Sequence, residues 1–331
     1  MNATLLLSWL AAWTVLGGAV LLLTTCVNRR VGCAAARHFG WVAAFLCLFL
    51  LPIGQAVYGL IDQSIVSTEQ TICRPVPPSL FAAGLFGVWI AGIGWIGCRS
   101  MLALGVVKHW QRRSMRYRPE FCGTEFRRID VRMAQSSNPV VPITWGLFKP
   151  VVLLPRAARD WEAARMVAVL EHELGHIRRF DNLTQRLALA VCAIHWFNPL
   201  FWLAARRMEA EAEVAADDFA ILRGMKASSY AAELLGIAAP LRLSGGSCAL
   251  SQTAMVKSLT LEERLERILD PLAGRRAAPV LARARIAATF AGTAIALLVS
   301  TPRLADLIEP QSAAPAHCLV SGGVTSTDSG L

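Results

Sequence analysis

Charge is scarce in this sequence. Only 17% of its 331 residues are Asp, Glu, Lys or Arg, against roughly 25% in soluble domains. Mean hydropathy is +0.46. Residues 5–25, 39–61 and 79–98 hold no charge at all, and each run approaches the ~20 residues a helix needs to cross the hydrocarbon core. Helices of soluble cores rarely stay uncharged for so long, so an ordinary soluble domain is excluded. Residues 286–301 form a shorter uncharged run, read as a fourth span over 284–301. Residues 1–27 lack Lys and Arg. The basic leader of a cleaved signal peptide is therefore missing, and the first apolar run is expected to be retained. The nine Cys include no C-x-x-C pair, which removes a Cys-based zinc site or a disulfide framework from consideration.

The charge that is present orients the chain. Arg29, Arg30 and Arg37 follow the first span, and a basic run from Arg99 to Arg118 follows the third. The loop 62–78 holds only Asp62, Glu69 and Arg74. The positive-inside rule then puts both termini and that loop outside, and residues 99–283 in the cytoplasm, in a multi-pass protein of the inner membrane. The net charge of +10 reads as topology plus attraction to the anionic lipid of the bilayer. With basic residues at membrane exits and no DNA-binding motif, direct nucleic-acid binding is not expected. Cys73 and Cys318 are the thiols expected outside, where they either pair or leave the tail 302–331 free.

Residues 99–118 read as a helical stalk leaving the membrane. "FRRIDVRMAQ" alternates apolar and polar residues, and a Gly146 turn and the β-branched run Val151–Leu154 follow. These are signs of short strands and a hairpin. From Trp161 helical period takes over, with Asp160 as a candidate N-cap. Residues 187–205 are uncharged but for His195 and are interrupted at Asn198–Pro199. They are a fifth span or a re-entrant helical hairpin, open between the two. A polar helix follows from Arg206 to Arg223, and 228–237 and 259–269 read as further helices.

The chemistry begins at "HELGH". His172 and His176 are four apart, which on a helix brings both rings to one ion, and imidazole suits Zn²⁺. Glu173 beside them is placed to take a proton from an attacking water and pass it to a leaving amine. A catalytic zinc needs a third protein ligand and an open position. "EAEVAADD" supplies Glu213, with Asp217 four residues on to accept the N–H of a ligating His and fix its tautomer. Glu209 and Glu211 compete as ligand, but neither has an Asp at that spacing. One zinc ion is expected.

With its three N-terminal spans, "PITWGLFKPVVLLP" (142–155), "HELGHIRRFDN" (172–182), "HWFNPLFW" (195–202), "EAEVAADD" (211–218), "YAAELL" (230–235) and a final span, the chain resembles the transmembrane antirepressor zinc metallopeptidases of the BlaR/MecR type. The resemblance implies an α-helical integral membrane protein with a cytoplasmic, membrane-associated α+β domain of gluzincin type between the third and fourth spans. It implies proteolysis of a cytoplasmic protein, typically a winged-helix repressor, or self-cleavage; a homodimer is compatible. Sensor members carry a large penicillin-binding-like domain after the last span. The 30 residues from Pro302 hold no S-x-x-K and no room for one, so direct β-lactam sensing by this chain is not expected.

Tyr230 and His195 are candidates for stabilising the tetrahedral oxyanion, each with a structural role as the alternative. Asp181 reads as a helix cap. His38, His109 and His317 have no partner motif nearby. The rival reading is a non-catalytic membrane signalling protein that binds a partner and holds zinc structurally. The presence of Glu173 favours the enzyme, because a structural site needs no general base.

Overall fold

The structure, a computed structural model, describes residues 3–65, 80–118, 126, 129–135, 141–243, 260–276 and 279–308. Cys73, Cys318, His317 and the tail beyond Ile308 lie outside the described residues. In chain order come helices α1 (Ala3–Arg29), α2 (Ala34–Ile65) and α3 (Leu80–Arg112), then strands β1 (Ser114–Arg116), β2 (Asp130–Ala134), β3 (Ile143–Trp145) and β4 (Val151–Leu154). Helices α4 (Ala163–Arg179), α5 (Asp181–Ile194), α6 (Pro199–Leu222), α7 (Ala227–Leu243), α8 (Leu261–Leu269) and α9 (Val280–Ile308) follow among the described residues.

Four of these helices are long and apolar enough to cross a membrane, over Leu10–Arg29, Ala34–Gly54, Leu80–Arg112 and Val280–Leu297. Helix α3 leaves Phe81, Trp95, Met101 and Leu102 exposed on more than one face, which suits lipid and not water. Trp89 Nε1 ties α3 to the α5 end through the Ile194 carbonyl at 2.8 Å. The stalk expected over 99–118 is helical only to Arg112. Ser114–Arg116 instead pairs antiparallel with β2, so the third span feeds straight into the sheet.

The sheet order is β1-β2-β4-β3. Strands β2 and β4 run parallel, and β3 and β4 form an antiparallel hairpin with Thr144 opposite Val152. Gly146 closes that hairpin at φ 96°, where a Cβ would collide with the Lys149 carbonyl. All of Val151–Leu154 is buried, which fits a central strand read as a continuous apolar run. Val152, Leu154, Met166, Leu170 and Leu174 form the core between the sheet and α4.

Helix α4 begins two residues later than Asp160 suggests. Arg156–Asp160 form a 3₁₀ turn, Trp161 is extended, and Glu162 stands at the N-cap. The segment 187–205 is divided between α5 and α6, which pack on each other as a helical hairpin. Asn198 caps α6, its side chain accepting from Leu200 N at 2.9 Å, with Pro199 at the first helical position. Pro is tolerated there because that N–H has no helical partner to lose. Helix α2 packs against α1, α5, α6 and α9, and a second apolar core of Trp13, Phe45, Leu48, Phe201 and Met208 lies among these helices. Helix α6 is thereby set directly against α1 and α2.

Candidate metal centre

Helix α4 carries "HELGH" and crosses α6 closely. Gly175 makes that approach possible: a Cβ there would meet Ala216 Cα at 3.2 Å. The crossing brings Glu213 over the two His. His172 Nε2 and His176 Nε2 are 3.2 Å apart, and each lies 3.6 Å from a Glu213 carboxylate oxygen. Atoms bound about 2.0–2.1 Å from a tetrahedral ion lie roughly 3.3–3.4 Å from one another. The triangle of His172, His176 and Glu213 therefore has the size and the donor types of a metal site.

Both rings are turned the same way by carboxylates behind them. His176 Nδ1 donates to Asp181 Oδ2 at 2.6 Å, and His172 Nδ1 lies 3.0 Å from Asp217 Oδ1. A carboxylate only accepts, so each Nδ1 carries a proton and each Nε2 is turned to the triangle, able to offer a lone pair to an ion once its own proton is lost. Asp181 is not the cap its position suggested. Phe180 takes the left-handed conformation at φ 56° and ends α4 abruptly. Asp181 then opens α5 and points back at His176. Arg179 Nη2 holds the same Asp181 oxygen at 2.6 Å and the Ala212 carbonyl of α6 at 2.9 Å. His38 of α2 sits 3.7 Å behind Asp181, so a span reaches this cluster although the sequence offers His38 no partner.

Arg264 of α8 is a second member that the sequence did not reveal. It donates to both oxygens of Asp217, at 2.9 and 2.7 Å, and lies 3.1 Å from Glu213 Oε2. A reciprocal Thr260–Glu263 capping box starts its helix. The Tyr230 hydroxyl donates to Asp217 at 2.7 Å and lies 3.0 Å from His172 Nδ1. Burial works against charge on Glu213, but the bond to His172 and the charges of His176 and Arg264 hold its carboxyl far below the usual range. Asp217, likewise buried, is brought down to about 2 chiefly by Arg264 and His172. Burial opposes a charged His172 ring, and its bonds to Asp217 and Glu213 overcome that, raising it to about 9.

Glu173 is nearly buried and accepts a hydrogen bond from Thr144 Oγ1 of β3, at the edge of the described sheet. Asn182 Nδ2 in turn donates to the Thr144 carbonyl at 3.2 Å. A cleft of about 420 Å³ opens over the triangle, bounded by Thr144, Glu173, Tyr230, Leu234 and Arg264. His195 does not line it. Its ring stacks on Phe201 at 4.3 Å, and its Nδ1 is 3.5 Å from Thr14 Oγ1.

A family model described as BlaR1 peptidase M56 matches residues 5–268. The chain belongs to that family. The match takes in the three N-terminal spans and all three members of the triangle, His172, His176 and Glu213. Two relatives are the regulatory protein BlaR1 of Bacillus licheniformis, 29% identical over 52% of this chain and 29% of its own length, and the methicillin resistance mecR1 protein of Staphylococcus aureus, 26% identical over 28% of this chain and 16% of its own. The chain thus spans less than a third of the length of these relatives.

Proposed function

We propose that this M56 peptidase is a zinc endopeptidase whose active site lies on the cytoplasmic side of the inner membrane, and that it cleaves a cytoplasmic protein such as a winged-helix repressor, or itself. The convergence of two imidazole nitrogens and one carboxylate, with a further glutamate beside them, carries this reading. His172, His176 and Glu213 are the residues to hold the ion. When bound, zinc supplies Lewis-acid polarisation of a carbonyl and acidifies water.

The chain's own residues supply the rest. Glu173 takes the proton of the attacking water and returns it to the leaving amine. Thr144 fixes which Glu173 oxygen is free to do so. Strand β3, as a sheet edge at the cleft, offers main-chain hydrogen bonds to an extended peptide, which selects conformation more than sequence. Asp181 and Asp217 hold the ligand rings. Tyr230 braces the His172–Asp217 pair, a role its burial favours over contact with substrate.

The orientation rests on charge and on proximity. The end of α1 and the start of α9 share one crevice, so the basic exits at Arg29, Arg30, Arg283 and Arg285 fall on one face, and that face is the cytoplasmic one by the positive-inside rule. The test is reconstitution of the full chain with zinc, alone and with a winged-helix repressor if one is encoded beside it, against the Glu173→Gln chain. Cleavage of the repressor or of the chain itself by the first and not the second is the expected result. Cleavage by neither would leave a partner-binding signalling protein with a structural metal, and equal cleavage by both would remove Glu173 as the base.

A further inference from the structure

Helices α1 and α9 both pack on α2, and between their ends lies a crevice of about 700 Å³ that the metal centre does not use. Its walls are apolar, with Leu23 and Val27 on α1 and Ile286 on α9. Its rim carries Arg30, Arg276 and Arg285, and no Asp or Glu lines it. All three arginines are exposed, and among the described residues none is in an ion pair. Arg37 nearby is different: it is engaged with Glu211 at 2.7 Å.

We propose that this crevice binds one anionic phospholipid, its phosphate held by Arg30, Arg276 and Arg285 and an acyl chain lying along Leu23, Val27 and Ile286. This goes beyond the peptidase reading and rests only on α1 and α9 being spans. An apolar space of this size has too few polar partners to order water, and at the end of two spans it is reached by lipid chains. Guanidinium groups bind phosphate oxygens in pairs. The first turn of α9 adds amides that have no partner within the helix, and the positive end of its dipole, at the same rim. Three positive charges around one phosphate leave a surplus that a zwitterionic headgroup, with its own ammonium, does not neutralise. A free phosphate would meet only exposed, salt-screened arginines, whereas a lipid adds apolar burial. The occupant is therefore a lipid with net negative charge.

The test uses the purified full chain in neutral detergent, titrated with phosphatidylglycerol, with phosphatidylcholine and with inorganic phosphate, and read by native mass spectrometry. Phosphatidylglycerol should be retained at one per chain, at least tenfold over phosphatidylcholine. Each of Arg30→Gln, Arg276→Gln and Arg285→Gln should weaken retention about fivefold, as expected for roughly one interfacial charge apiece. Arg112→Gln with Arg113→Gln, at another membrane exit, should leave it unchanged. Cys26 lines the same crevice and is exposed, so its alkylation in the unmutated chain should slow with phosphatidylglycerol and not with phosphatidylcholine. That measurement needs no variant to fold. Equal retention of the two lipids, unchanged Cys26 labelling, displacement by millimolar phosphate, or equal losses from the Arg112 and Arg113 changes would each overturn the proposal.

Discussion

Asp181 Oδ2 lies 2.6 Å from His176 Nδ1, although the two residues belong to different helices. The turn at Phe180 makes this contact, and its left-handed backbone is costly for a bulky residue, about 1 kcal/mol or more. Asp217 occupies the corresponding place behind His172. Removing either carboxylate frees a ring to rotate and to exchange tautomers. Asp181→Ala and Asp217→Ala should each lower zinc affinity about 10–100-fold, measured by competition with a chromogenic chelator. If Asp181→Ala binds zinc as the unmutated chain does, Asp181 serves only to join α4 to α5.

Glu213 is the third donor of the triangle, and Glu209, one turn earlier on α6, is the competitor on the same helix face. Burial and the Glu213 charge raise Glu209 to about 7, so near neutral pH it is a poor anionic ligand. Glu213→Gln should therefore strip most of the metal, and Glu209→Gln should not, as read by elemental analysis of the purified chain. The reverse pattern would move the ligand one turn along α6.

Glu173→Gln should keep the metal and lose roughly 10²–10⁴-fold in turnover, the span attributed to a positioned general base. The two readouts separate the roles, since a structural ligand would lose both.

Arg264 pairs with Asp217 through two bonds from a helix 47 residues further along the chain. Deleting it leaves the buried Asp217 and the half-buried Glu213 without their guanidinium, with only the His172 ring as a nearby cation. Breaking such a pair costs about 3–5 kcal/mol, so Arg264→Ala should lower the thermal unfolding temperature of the metal-free chain markedly. Arg264→Lys keeps the charge but not the two-pronged geometry and should fall between. An Arg264→Ala chain with unchanged thermal unfolding would mean that water reaches Asp217 and replaces the guanidinium.

How much of this was legible in the sequence depended on distance along the chain. His172 with His176 and Glu213 with Asp217 are i, i+4 pairs, and helical period makes such pairs visible. The apolar runs announced α1, α2, α3 and α9 for the same local reason. Asp181 was misread because nothing marks Phe180 as a left-handed stop; such positions usually hold Gly or Asn. Arg264 lies in "LEERLER", which reads as a solvated helix face until α8 is seen against α6. His38 is invisible for a related reason: only the packing of α2 on α5 brings it to Asp181.

Thr144 joins Glu173 across 29 residues of sequence. Its hydroxyl donates to one carboxylate oxygen and leaves the other free, so it acts on the orientation of Glu173 and touches no metal ligand. Thr144→Val preserves the branched shape that β3 packs while removing the donor. A hydrogen bond to a charged group contributes about 1.5–3 kcal/mol, and part of that is orientation lost here, so kcat should fall about tenfold with KM and zinc content unchanged. Thr144→Ser should restore most of it, because the hydroxyl returns even though a methyl is gone. If Thr144→Val instead raises KM at constant kcat, the residue belongs to the peptide-binding edge and not to the base. If Ser fails to rescue, the strand has shifted and the hydroxyl was not the cause.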